Sequence, residues 1–139
     1  MADDDKRRLR AVRNRIRVGP LTTAAAADLC RKAERQGWNC AHIDLEGCVE
    51  KDDMLRRIAT ALGFPDWFGG NWDALFDCLA DLSWRPAAGH LLLLEHADQL
   101  RQEAPEVFDT AVAILQDVAV FWARRQVTFR AFVGVATNA

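Results

Sequence analysis

Residues 64–84 read FPDWFGGNWDALFDCLADLSW, and the fold is best read outward from them. Asn71 is a strong N-cap residue, and the spacing predicts a helix over residues 71–82. At about 100° per residue, Leu75, Cys78, Leu79 and Leu82 fall within one arc of roughly 100°. Such a stripe must be buried against a core. Asp73 and Asp77 then point roughly 160–200° away from Leu75, with Ala80 and Asp81 beside them. Phe76, at about 100°, falls on the boundary and is expected half exposed. Trp72, at about 60°, is expected on the core side.

The helix therefore shows water a row of carboxylates spaced i, i+4 and i+8. Like charges at that spacing repel by a few tenths of a kcal/mol, roughly. The helix dipole favours Asp73 in the first turn, but Asp77 and Asp81 have no such compensation. Residues 66–84 contain no lysine or arginine. Trp67-Phe68 is an aromatic pair in the preceding loop, where exposed aromatics anchor partners. Gly69-Gly70 permits positive φ and lets another backbone come close. Together these residues describe an acidic, aromatic-rimmed surface for a basic partner. A glycosidase-type acid/base pair is disfavoured: the carboxylates project from one convex helix face about 6 Å apart along its axis. In water, neither has a means of raising its pKa.

On the N-terminal side, Lys51–Leu62 keeps Met54, Leu55, Ile58 and Leu62 on one helical face. Residues 40–45, CAHIDL, read as a strand, and a helix capped by Thr22 or Thr23 precedes it and stops at Gly37. On the C-terminal side, residues 91–94 are four leucines, the mark of a strand buried on both faces. A turn or two of helix follows at 97–103. A long helix starts near Pro105 and runs to about Arg124, and a last strand spans 128–135. Strands alternating with helices predict an α/β domain over residues 21–139, with a small three-stranded parallel sheet and packed helices. Residues 1–20 read as a basic, partly disordered extension, with a short strand around Ile16-Arg17-Val18.

The chain has 139 residues and a net charge of −2. That total hides a +4 extension and a −6 body, and residues 40–120 carry 15 acids against 5 bases. The body lacks the basic footprint of a general nucleic-acid binder, so nucleic-acid contact is expected only through the extension. No segment is long and apolar enough to span a membrane. The N-terminus has no apolar signal region, so the expected location is cytoplasmic. Cys30, Cys40, Cys48 and Cys78 form no Cys-x-x-Cys and are expected to be reduced and mostly buried. His90 and His96 lack a cysteine pair at finger spacing. Cys40 and His42 share a strand face, but no third group is visible beside them. No metal and no cofactor is expected, since there is neither a GxGxxG nor a Walker loop.

The stretch resembles the barstar family of intracellular ribonuclease inhibitors. The family pattern is an aromatic-rich loop, Gly-x-Asn, then Asp-Ala-Leu-x-Asp-Cys-Leu. Here Gly69-Gly70-Asn71 and Asp73-Ala74-Leu75-Phe76-Asp77-Cys78-Leu79 stand in register. The resemblance spans roughly residues 38–135; the preceding helix and extension are additions to the smallest members. It implies a compact α/β fold with a three-stranded parallel sheet. It also implies a mechanism in which loop and acidic helix plug the basic active site of a ribonuclease. Asp77 matches the family's principal anchoring aspartate and Asp73 a second. Trp67, Gly69 and Asn71 match loop contacts, and Phe76 stands where a tryptophan is usual. Phe68, Ala80 and Asp81 complete the expected surface. Gly70 replaces an acidic residue. The family's acidic contact on the last helix has no clear match, although Asp117 and Val120 lie near it. The expectation is a binding protein rather than an enzyme, monomeric when free, whose partner is a basic protein of the ribonuclease class. A regulatory module that binds a different basic protein is the competing expectation.

Overall fold

The computed structural model describes residues 14–136. In chain order the elements are β1 (Arg15–Gly19), α1 (Thr23–Arg35), β2 (Asn39–Asp44), α2 (Lys51–Leu62), α3 (Trp72–Leu79), β3 (Gly89–Glu95), α4 (Asp98–Glu103), α5 (Pro105–Arg124) and β4 (Thr128–Gly134). All strand pairs are parallel, in the order β1-β4-β3-β2. The sheet thus has four strands, not the expected three. The added strand is β1, which pairs with β4 from Arg15 opposite Arg130 to Gly19 opposite Gly134. Residues 15–19, expected within the extension, therefore lie in the sheet. Asn14 fixes the entry to β1, donating from Nδ2 to the carbonyl oxygens of Val127 at 2.7 Å and Ala119 at 3.3 Å. Residues 1–13 of the expected extension lie outside the described residues.

The central strand decides the layering. Residues 89–94 of β3 are all buried. Leu92 and Leu94 enter the larger core, with α2, α3, α4 and α5. Leu91 and Leu93 face the other way, against Ala26 and Ala33 of α1. Each such leucine contributes roughly 1.5–3 kcal/mol of burial. The step from β1 to β2 crosses the sheet one way with α1 on one face. The steps β2 to β3 to β4 return with their helices on the other face. A uniform right-handed crossover requires that reversal.

The local stop signals act as expected. The Thr22 side chain accepts from Ala25 N at 3.0 Å at the start of α1. Gly63 ends α2 in the left-handed region (φ 64°), with Phe64 N donating back to Ala59 O at 2.9 Å. Two further corrections concern length and burial. α3 stops at Leu79 rather than 82, because Leu82 turns to φ 50° and the Trp122 indole donates to Leu79 O at 2.9 Å. Only Cys48 and Cys78 of the four free cysteines are buried; Cys30 and Cys40 are half-buried.

His90 is the buried polar residue of the described core. Its ring lies 5.7 Å from that of Trp122, and its Nδ1 is 3.5 Å from Asn39 Nδ2. Burial, with Arg85 adding to it, pushes its imidazole down to about 4. The unfolded chain therefore takes up this proton first as pH falls below about 6.5. Stability attached to His90 is complete above that pH and falls as pH drops toward 4. Urea denaturation should show stability on the order of 2 kcal/mol lower at pH 4.5 than at pH 7 from this group. His90→Phe should make that pH slope shallower; an unchanged slope would show that His90 is not its source.

Candidate functional site

The candidate surface is built on α3 and the loop before it. Leu75, Cys78, Leu79 and Leu82 are buried, as the periodicity predicts. Burial on that side leaves one orientation for the rest of the helix. Asp73 and Asp77 emerge to solvent, and Asp81 follows from the turn after the helix. The expected row of three is thus two helical carboxylates and one turn carboxylate. None of the three has an ion pair or hydrogen bond among the described residues. Burial pushes the Cys78 thiol up to about 11, and Asp77 and Asp81 push the same way. That thiol is held neutral on the core side of an acidic ridge, which gives it no nucleophilic role.

The helix start is fixed locally. Asn71 Oδ1 accepts from Ala74 N at 2.7 Å, and Asn71 O accepts from Leu75 N at 3.0 Å. Gly70 holds φ 68°, which a side chain would resist, while Gly69 does not take positive φ. The loop is tied beneath by aromatic packing. Phe68 turns toward the core and meets Phe64 edge-on at 5.0 Å. Phe68 is therefore half-buried rather than freely presented. Trp84 donates from its indole to Leu62 O at 3.0 Å, and Trp67 sits edge-on to Trp84 at 6.4 Å. Trp67 remains 58% exposed, so its outer face is available and its orientation is set. Trp72 packs on the core as expected, and Lys51 Nζ covers its ring at 5.8 Å.

On the other flank, the structure adds residues that the α3 segment could not reveal. Phe76 is half-buried, as expected, because Phe121 of α5 meets it edge-on at 6.2 Å. Phe76, Asp117, Val120, Phe121, Arg124 and Arg125 line a shallow depression of about 360 Å3. Ala80 is half-buried at the end of α3. Asp117 and Val120, noted near the last helix's acidic contact, thus lie on the same surface as α3. Arg125 stacks on Phe121, its guanidinium carbon 3.7 Å from the ring centre. The surface is acidic along α3 and bounded by arginine at the end of α5. Asn71 and Ala74 cap and carry the helix, and Trp67, Asp73, Asp77 and Asp81 offer the groups a partner can touch.

Two clusters elsewhere carry metal-ligand types. Cys30, Cys40 and His42 bring their ligand atoms within 4.8 Å of one another, as do Asp44, Glu46 and His96. In the second, Asp44 Oδ1 accepts from Glu46 N at 3.0 Å and meets His96 Nδ1 at 2.9 Å. These contacts lower the Asp44 carboxyl and raise the His96 imidazole, and all three residues are exposed. Neither cluster belongs to the α3 surface. No helix among the described residues is long and apolar enough to cross a membrane.

Comparison with known proteins agrees with this architecture. A solved structure described as "Structure of Drosophila ORC bound to DNA" superposes with a TM-score of 0.55 at 19% identity. The match covers 90% of this chain and 32% of that one, so this chain spans about a third of its length and shares its fold. A search of curated proteins finds no match. The family model described as "Barstar (barnase inhibitor)" matches residues 38–134, from the turn before β2 to the end of β4, with all of α3 and its loop inside. On that match, the chain belongs to the Barstar family.

Proposed function

We propose that the chain is an inhibitor that binds a basic ribonuclease and covers its active site with α3 and the 66–71 loop. The observation that carries this reading is the set of exposed Asp73, Asp77 and Asp81 carboxylates with no internal partner, rimmed by Trp67. A ribonuclease must attract RNA phosphates, so its active site gathers cationic side chains. Carboxylates held on a rigid helix offer those cations charge-assisted hydrogen bonds in place of phosphate. The ridge is convex and the expected site is a cleft, so docking itself excludes substrate. No bond is made or broken. The acidic face also speeds encounter with a basic surface, an effect that weakens with salt.

Trp67 supplies the apolar anchor. Its indole is exposed but its orientation is set by Trp84, so little rotamer freedom is lost on binding. Asp117 and Val120 extend the contact along α5. The partner class that fits is a protein with a concave, arginine- or lysine-lined site. A basic protein other than a nuclease would read the same charges, and capture followed by assay separates the two.

Immobilised protein should retain a basic nuclease from the source cell, and one equivalent of free protein should suppress its RNA cleavage. Asp73→Asn with Asp77→Asn should fold normally by circular dichroism. It should weaken that inhibition at least about 30-fold, since truncating buried charge pairs costs 2 kcal/mol or more, roughly. Unchanged inhibition would remove α3 from the mechanism. Capture of a basic protein without nuclease activity would favour the regulatory reading. Removing residues 1–13 should leave binding within about twofold, because β1 and Asn14 stay in place. Lost binding would assign those residues to the site.

A further inference from the structure

On the sheet face opposite the larger core, α1 and the edge strand β2 bring four ligand-type side chains together. Cys30 and Glu34 lie at i and i+4 of α1, and so on one helical face. Cys40 and His42 lie at i and i+2 of β2, and so on one strand face. The short connection through Gly37 (φ 78°) folds the two pairs against each other. Ligand atoms of Cys30, Cys40 and His42 lie within 4.8 Å of one another. Cys30 Sγ is 3.8 Å from Glu34 Oε1. A tetrahedral zinc with bonds of 2.0–2.3 Å needs ligand atoms about 3.3–3.8 Å apart, so small rotations draw in Cys30, Cys40 and His42, while the exposed Glu34, outside that 4.8 Å group, must swing toward them.

We infer that Cys30, Cys40 and His42, with Glu34 in the fourth position, form a tetrahedral site for a borderline-soft divalent cation of the zinc class. Two thiolates and an imidazole select that class over calcium or magnesium, which prefer oxygen. Each thiol releases its proton to water as its sulfur–metal bond forms.

A further contact fits this assignment. His42 Nδ1 lies 3.4 Å from Glu95 Oε2, and Glu95 pairs with Asp44 in the β2–β3 register. A carboxylate on Nδ1 orients the ring and leaves Nε2 for the metal, an arrangement common behind zinc-bound histidines. All four ligands are half-buried or exposed, so the ion has a direct path from solvent. The consequence is structural. Among the described helices, α1 is the one packed on the second face of the sheet, through the small Ala26 and Ala33 and partly buried neighbours such as Leu21 and Trp38. A metal joining α1 to β2 fastens that layer at the sheet edge. Cys30 lies outside the family match and Cys40 and His42 inside it, so the site belongs to this chain's N-terminal elements as much as to the family's portion.

Cobalt(II) titrated into the full chain, after chelator treatment and in reductant, tests the assignment. One equivalent should bind, with a thiolate-to-cobalt charge-transfer band and tetrahedral visible bands that zinc displaces. Cys30→Ser and Cys40→Ser should each cut the charge-transfer intensity by about half, two thiolates being reduced to one. Glu95→Gln, which keeps the side chain's shape and leaves every ligand in place, should weaken binding at least about tenfold. Zinc should raise the unfolding temperature of the wild type and not of Cys30→Ser. Absence of the charge-transfer band would overturn the proposal. So would a band that survives loss of both cysteines, or a Cys30–Cys40 disulfide that persists in reductant and prevents binding.

Discussion

Burial of β3 on both of its faces is the constraint from which the rest follows. A strand of four consecutive leucines cannot tolerate water on either side, so the sheet must be covered twice. The larger cover includes α3, whose buried Leu75 and Leu79 meet the same core as Leu92 and Leu94. Once that stripe is committed inward, Asp73 and Asp77 have nowhere to go but outward. The acidic ridge is the polar remainder of a helix whose other side is fixed by packing. This also explains why unpartnered carboxylates persist there: the repulsion between them is tenths of a kcal/mol, whereas the apolar stripe contributes several, roughly.

The second cover is thinner and has a different electrostatic character. α1 shields only part of the opposite face. Beside it, Arg15 and Arg17 of β1 and Arg130 of β4 surround Leu29, Leu91 and Phe132 in a groove of about 210 Å3. The described domain thus carries acid on the α3 side and arginine on the far side. Under the proposed function, a basic partner would be drawn to one face and repelled by the other, orienting the encounter before contact. A metal between Cys30, Cys40 and His42 fastens the helix on the cationic side, away from the acidic ridge, so the two features can operate independently.

Much of this was legible in the sequence, and the exceptions have physical causes. Leu91 to Leu94 declared a central strand because no other element buries a continuous apolar run so simply. The α3 stripe and its outward aspartates followed from helical geometry alone. β1 was harder, because Arg15-Ile16-Arg17-Val18 has one residue, Ile16, facing the larger core while its arginines face the groove. A short strand is expected around Ile16-Arg17-Val18, but its place in the sheet depends on β4 as a neighbour, and it reads as part of a charged extension. The end of α3 depends on Leu82 leaving the helical region and on the Trp122 indole capping Leu79, neither of which has a periodic signature. Phe121 and Asp117 joined the surface, and Cys30 joined Cys40 and His42, only through tertiary contacts.

Under the proposed function, the partner contacts the α3 ridge and not the α1 face. Amide hydrogen exchange of the captured complex, compared with the free chain, tests this most directly. Protection should appear over residues 66–82 and along 117–121, with residues 23–42 unchanged. Protection centred on residues 23–42, with 66–82 exchanging as in the free chain, would contradict it.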